Sequence, residues 1–459
     1  MQINSSHFQW RVGIARRKIT PSFDVDLAGL GYYLNRTGQR VRDDLAATAL
    51  VVEARNGDAV AIVALDIMYC DEAFTGQIRN LASRATGIRA EAICINCSHS
   101  HNAPTAGVVR GLGEVNEAYL RFVTAQTVDA IGEAWRDRQD ANLRVGHGEV
   151  KDLTYNRTRE NGPLDTRLSV LRADSRDGKT FAIAFNFHCH LTAHLETDFR
   201  AISRDWPGEV IDAIEGKFPE AIAMFLQGTC GDVILKPEFN STNRRFEPAQ
   251  AITAVVLGAM EKSRLVSGDT IRGAVEKIKL PTRRWTHEEI QQYREEGLYR
   301  LKTGDTEGWL DGFAKVVVTY PKQLPVRYGG SVENAVRAIS KFAVDWSDDV
   351  LSVLETRPNY LFAEVQAIRL GDVFFIAHPA ELFTTLGLAI RTGIGIEDLF
   401  MLGYSNANIG YLPDAFDIRR GSYAALQSPK FTGQFPFVPE SGEALVAGAV
   451  ELLRQVAKA

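Results

Sequence analysis

The chain has 459 residues, 45% of them hydrophobic and 24% charged, with a formal net charge of −5. That is enough chain for a sizeable core, in about three average domains or one large α/β domain. The composition excludes the basic, aromatic-interleaved surface of a nucleic-acid binder, and no window is long and uncharged enough to span a membrane.

Residues 1–10 are polar and lack an apolar stretch, so no secretory signal is predicted and the expected location is cytoplasmic. The five cysteines, Cys70, Cys94, Cys97, Cys189 and Cys230, are an odd number and fit reduced thiols in that compartment. A short strand opens the chain at 12–15, and Gly29-Leu30-Gly31-Tyr32 is a loop. Apolar runs at 47–54 and 59–66 flank Asn56-Gly57-Asp58, a hairpin signal. Helical periodicity covers 71–85. Residues 91–96 read as a buried strand feeding Cys97-Ser98-His99-Ser100-His101-Asn102-Ala103-Pro104-Thr105. On an extended backbone two histidines two apart share a face. Pro104 stops the strand, which puts the pair at a strand end, where sites on α/β sheets are built.

An amphipathic helix follows at 116–138, then a strand at 142–150 and a polar loop, Tyr155-Asn156-Arg157-Thr158. Strands at 168–173 and 180–187 surround Asp177-Gly178, and the second ends in His188-Cys189-His190, with His194 beyond. A helix at 205–218 precedes a strand at 221–226 that runs into Gln227-Gly228-Thr229-Cys230-Gly231-Asp232. A helix is predicted at 248–265 and a strand at 271–280. Residues 283–328 turn charged and aromatic, helical at 288–301 with Trp309, Phe313 and Tyr320 beyond. They read as a helical insertion or lid, or as a surface excursion. A helix at 332–354 leads to strands at 362–370 and 373–377, the second reaching His378-Pro379-Ala380-Glu381. A strand at 399–403 leads to Tyr404, Tyr411 and Tyr423 follow, and a helix at 440–457 closes the chain. The fold class is α/β, with mixed β-sheets flanked by helices in a single large domain over 1–459.

Five of the nine histidines fall in the two strand-end segments 99–101 and 188–194, and the carboxylate of Glu381 falls at a third strand end. A catalytic zinc needs three or four N, O or S ligands and an open position. Two histidines, a glutamate and a tyrosine supply that set; unconnected, hydrogen-bonded histidines are the other reading. Cys94 and Cys97 form a C-x-x-C, but in a strand they face opposite ways and no second pair exists, which argues against redox or structural zinc. His194 is an alternative ligand if its segment is helical. Asp205 and Asp232 are placed either to orient site histidines or to cap.

The chain resembles the N-terminal catalytic domain of the neutral/alkaline ceramidase family. Ser98-His99-Ser100-His101-Asn102-Ala103-Pro104 is similar to the family's T-H-T-H-S-G-P motif, and Asn156-Arg157-Thr158 to its asparagine–arginine–serine segment. His190 is similar to its second metal histidine, and Pro379-Ala380-Glu381-Leu382-Phe383-Thr384 resembles its Pro-Gly-Glu-x-Thr motif with one extra residue. Tyr411 and Tyr423 resemble its closing tyrosine pair. The likeness runs in order over residues 10 to 457. It implies a zinc held by His99, His190, Glu381 and Tyr411, with His101 as the acid/base and Arg157 and Tyr423 binding the scissile carbonyl. The reaction implied is hydrolysis of an amide bond by metal-activated water. The family's Gly-Asp-Val-Ser-Pro-Asn segment is Gly231-Asp232-Val233-Ile234-Leu235-Lys236 here, and isoleucine is neither nucleophile nor hydrogen-bond donor. The family's immunoglobulin-like C-terminal domain has no counterpart in this sequence. Both departures point away from lipid ceramide, towards a smaller cytoplasmic substrate. An ester-, lactone- or sugar-directed hydrolase or lyase, and a non-catalytic binding descendant, are the competing readings. Nothing in the sequence sets the oligomeric state; a homo-oligomer is admitted.

Overall fold

The computed structural model describes residues 8–194, 198–240, 243–309 and 324–458. Two mixed sheets are flanked by helices. The larger has nine strands, eight of them in one path: Ile222–Gln227, Thr180–Phe187, Arg167–Asp174, Gln139–Glu149, Trp10–Lys18, Ala46–Ala54, Ala59–Leu65 and Ile93–Cys97. Its interior pairs are antiparallel, and the outermost pair at each end is parallel. The smaller runs Ile271–Pro281, Tyr360–Leu370, Val373–Ala377, Leu399–Leu402, and only its last pair is parallel.

The strands form for legible reasons. The hairpin at 46–65 turns at Asn56-Gly57-Asp58, with Gly57 at φ 89°. Ile93–Cys97 is buried at every position, as the apolar run required of a strand covered on both faces. The helix Glu72–Thr86 starts on the Asp71 side chain and stops at Gly87 in the left-handed region. The helix Glu117–Arg136 starts on Asn116.

The two edges of the large sheet meet. Asn96, fully buried on one edge, accepts from the Gln227 N–H at 2.7 Å on the other and donates to the Gly403 carbonyl at 2.6 Å beyond the edge of the small sheet. Asn186 repeats the device, donating to the carbonyls of Leu226 and Met401 at 2.8 and 3.0 Å. Carboxyl ends of parallel strands from both sheets, Ile93–Cys97, Thr180–Phe187, Ile222–Gln227, Val373–Ala377 and Leu399–Leu402, therefore open into one place.

Three expectations are corrected. The helix predicted at 248–265 ends at Glu261. The Ser263 hydroxyl bonds back to the Met260 carbonyl, and Arg264–Leu265 leaves as a strand along Gln139–Glu149. The polar loop at 155–158 contains a strand, Thr154–Asn156, because Val233–Leu235 offers it an apolar partner; Ile234 lies opposite Tyr155. The backbone at the two histidines is not extended: the strand stops at Cys97 and His99 sits at φ 62°. Of the predicted insertion, His287–Thr303 is a helix with a capping box that packs on the helix Val332–Val353. Phe313 and Tyr320 lie outside the described residues.

Candidate metal centre

His99, His101 and His190 come together with their ligand atoms within 4.8 Å of one another. His99 and His190 share a device that His101 lacks. The Nδ1 of His99 is 3.2 Å from the Met68 carbonyl, and that of His190 is 3.1 Å from the Val233 carbonyl. A carbonyl only accepts, so each Nδ1 carries the proton and each Nε2 presents a lone pair. Those two Nε2 atoms converge on Glu381 Oε2, at 3.4 and 3.3 Å. Among the described residues neither ring nitrogen of His101 has a hydrogen-bond partner, although both are buried. Burial pushes the His99 imidazole down to about 3 and holds His101 and His190 well below the usual histidine range, so all three are neutral at pH 7.

Glu381 arrives on a two-residue ladder. Glu381–Leu382 pairs in parallel with Tyr411–Leu412, placing Glu381 beside Tyr411 in register. Arg157 reaches in from the loop behind Thr154–Asn156. Its Nη2 donates to the Tyr411 hydroxyl at 2.6 Å and to the Gly231 carbonyl at 2.9 Å, and lies 3.4 Å from His190 Nε2. Tyr423 stands edge-on to Tyr411, with ring centroids 6.0 Å apart. Burial raises both phenols, and the Arg157 charge opposes that rise. The seven residues implied by the ceramidase resemblance thus lie in one cluster.

The other candidates lie elsewhere. His188 accepts from the Thr229 N–H at 2.9 Å and faces Asp165 at 3.5 Å. His194 faces Glu209 at 3.1 Å, away from the three histidines. Asp205 caps the helix Trp206–Lys217 and holds the N–H groups of Ala193 and His194. Asp232 binds Asn156 at 2.6 Å and both donors of Thr384 at 2.8 Å, and its carbonyl accepts the Arg157 N–H. It fixes the arginine loop rather than a histidine. Cys94 and Cys97 are both buried free thiols.

Sequence reasoning missed three contributors. Gln227 donates both amide protons, to the Ser98 carbonyl at 3.1 Å and the Cys189 carbonyl at 3.0 Å, so one side chain ties together the residues immediately before His99 and His190. Tyr69 donates to Glu381 Oε1, and Tyr404 stacks on His99 at 4.3 Å. The signal was available: all three sit at or just beyond strand ends, as the histidines do.

The fold can be compared with solved structures. A neutral ceramidase from Pseudomonas aeruginosa superposes with a TM-score of 0.71 at 16% identity, over 99% of this chain and 75% of that one. A ceramidase solved in complex with C2 gives 0.70 at 17% identity, over 98% and 76%. This chain has the neutral ceramidase fold. No protein-family model and no curated protein matches it at the level of sequence. The ceramidase fold expected from the ordered motifs is therefore present along the whole described chain. At this identity the likeness concerns fold, and the chemistry rests on the residues themselves.

Proposed function

We propose that the chain is a metal-dependent hydrolase of an amide bond, with zinc held by His99, His190, Glu381 and Tyr411. The supporting observation is the matched pair of imidazoles, each fixed through Nδ1 on a backbone carbonyl and each aiming Nε2 at Glu381 Oε2. Ligating histidines almost always donate their second nitrogen in this way. Two imidazoles and a carboxylate are donors that zinc takes; the phenol is the unusual fourth, and iron or manganese are the ions the same set would also take. His101 lacks the second bond, so we assign it to proton transfer rather than ligation.

A divalent metal there supplies Lewis acidity, polarising a carbonyl and acidifying water near neutral pH. The chain's own residues do the rest. Arg157, oriented by Gly231 and Tyr411, and the Tyr423 hydroxyl donate to the carbonyl oxygen as charge builds on it. His101, neutral and buried, takes a proton and passes it to the leaving amine. Ile234 offers no hydroxyl, so we place the substrate outside the ceramides, among smaller amides. Five buried free cysteines fit the reducing cytoplasm assigned to it.

Elemental analysis tests the site: one zinc per chain in the wild type, lost in His190→Ala. His101→Ala is expected to keep its zinc and lose about 10²–10⁴-fold in kcat. A screen of small amides against esters and glycosides tests the bond; turnover of non-amides alone would replace the amidase reading with an esterase or glycosidase one.

A further inference from the structure

Glu381 is gripped from both sides by phenols that no motif predicted. Its Oε2 faces the two imidazoles, and its Oε1 takes the Tyr69 hydroxyl. Tyr404 lies 3.5 Å from Oε2 and 3.2 Å from the Cys230 thiol, with its ring stacked on His99. Tyr69 and Tyr404 are both buried, so no solvent competes for the carboxylate. Tyr69 follows Met68, whose carbonyl orients His99. One dipeptide past the end of Ala59–Leu65 therefore fixes two of the proposed ligands, the imidazole through a main-chain acceptor and the carboxylate through a side-chain donor.

We propose that Tyr69 is a positioning residue that occupies Glu381 Oε1, leaving Glu381 a one-oxygen ligand, an inference that rests on the metal reading above. A carboxylate free to turn offers both oxygens to a divalent ion and takes up a further coordination position. With Oε1 occupied, that position stays open for water or substrate, as a catalytic site requires. The hydrogen bond also makes a rotated carboxylate unfavourable, because the buried Tyr69 hydroxyl would lose its acceptor.

The test is Tyr69→Phe, which keeps the ring against His99 and removes only the donor. Zinc affinity is measured by chelator competition, the Co(II)-substituted protein by visible absorption, and the fold by thermal unfolding of the metal-free form. The expected result is a folded variant that binds zinc about tenfold or more weakly, with Co(II) bands that weaken and shift as a further oxygen enters the coordination sphere. Tyr404→Phe is the comparison: it keeps the stacking on His99, removes the contacts to Glu381 Oε2 and to the Cys230 thiol, and leaves Oε1 occupied by Tyr69, so no further oxygen is expected to enter the Co(II) coordination sphere. A folded Tyr69→Phe with wild-type affinity and spectrum would overturn the inference while leaving the metal centre standing. A wild type that takes up neither ion would remove the metal reading and this inference together.

Discussion

At the scale of single residues, Gln227 carries a cost out of proportion to its chemistry. Its amide bonds the carbonyls before His99 and before His190, and its main-chain N–H is held by Asn96. Gln227→Ala leaves two buried carbonyls without a donor and opens a cavity, an expected loss of about 2–4 kcal/mol, checked by denaturant unfolding. Gly29 is the second such point. It sits at φ +85°, and a Cβ there would lie 2.6 Å from His101 Nδ1. Gly29→Ala is expected to displace His101 and to lower turnover by about 10²-fold while zinc content stays unchanged; turnover and metal measured on one sample decide it. Tyr69 sits just beyond a strand end, the position the histidines share, but a lone phenol there reads as core. The histidines did not hide, because the pattern of strand, then His or Glu, then loop recurs at three places in the chain. The left-handed backbone of His99 was not legible either: it is set by the main-chain bond from its N–H to the Ile67 carbonyl, a tertiary contact.

At the scale of elements, the helices His287–Thr303 and Val332–Val353 hold the segment that carries Tyr423. Lys430, nearly fully buried, points its ammonium at Tyr293 at 3.5 Å, Trp346 at 4.9 Å and Trp285 at 5.4 Å. Burial pushes Lys430 down to about 7, with Glu289 opposing, against roughly 10.4 in an unfolded chain. Between those values the unfolded state binds the extra proton, so this residue adds stability as pH rises from about 7 towards 10 and adds none below. The difference in Tm between wild type and Lys430→Met is expected to move in favour of the wild type from pH 7 to pH 9.5, and a difference that stays constant would show that Lys430 does not titrate there. Long elements were legible because period and caps agreed, as in 46–65 and 117–136. The ladders Thr154–Asn156 with Val233–Leu235 and Glu381–Leu382 with Tyr411–Leu412 were not, because two or three residues carry no period and exist only through their partners.

At the scale of the whole molecule, the site depends on two sheets being locked edge to edge by Asn96, Asn186 and Gln227. Native-state hydrogen exchange is expected to be slowest in Ile93–Cys97, Ile222–Gln227 and Leu399–Leu402, and faster in the helix pair at 287–353; slower exchange in that helix pair would place the stable nucleus elsewhere. The strands, the α/β class and a site at converging strand ends were legible in the sequence; the pairing that brings the two sheets edge to edge was not, because chain order does not say which strands are neighbours. No described helix is long and apolar enough to cross a membrane.

The ladder that sets Glu381 beside Tyr411 also fixes when the site comes into being. The ribosome makes His99 first and Tyr411 roughly 15–60 s later at ordinary elongation rates. Through that interval the parallel edge strands Ile93–Cys97 and Ile222–Gln227 have no Leu399–Leu402 to close over them, and unpaired edges invite association with other chains. On the proposed ligand set, the imidazoles are on hand early but the carboxylate and phenol are not, so metal loading would follow translation. A nascent chain released before residue 411 would carry the three histidines and an open edge, and on the proposed function it is expected to be inactive.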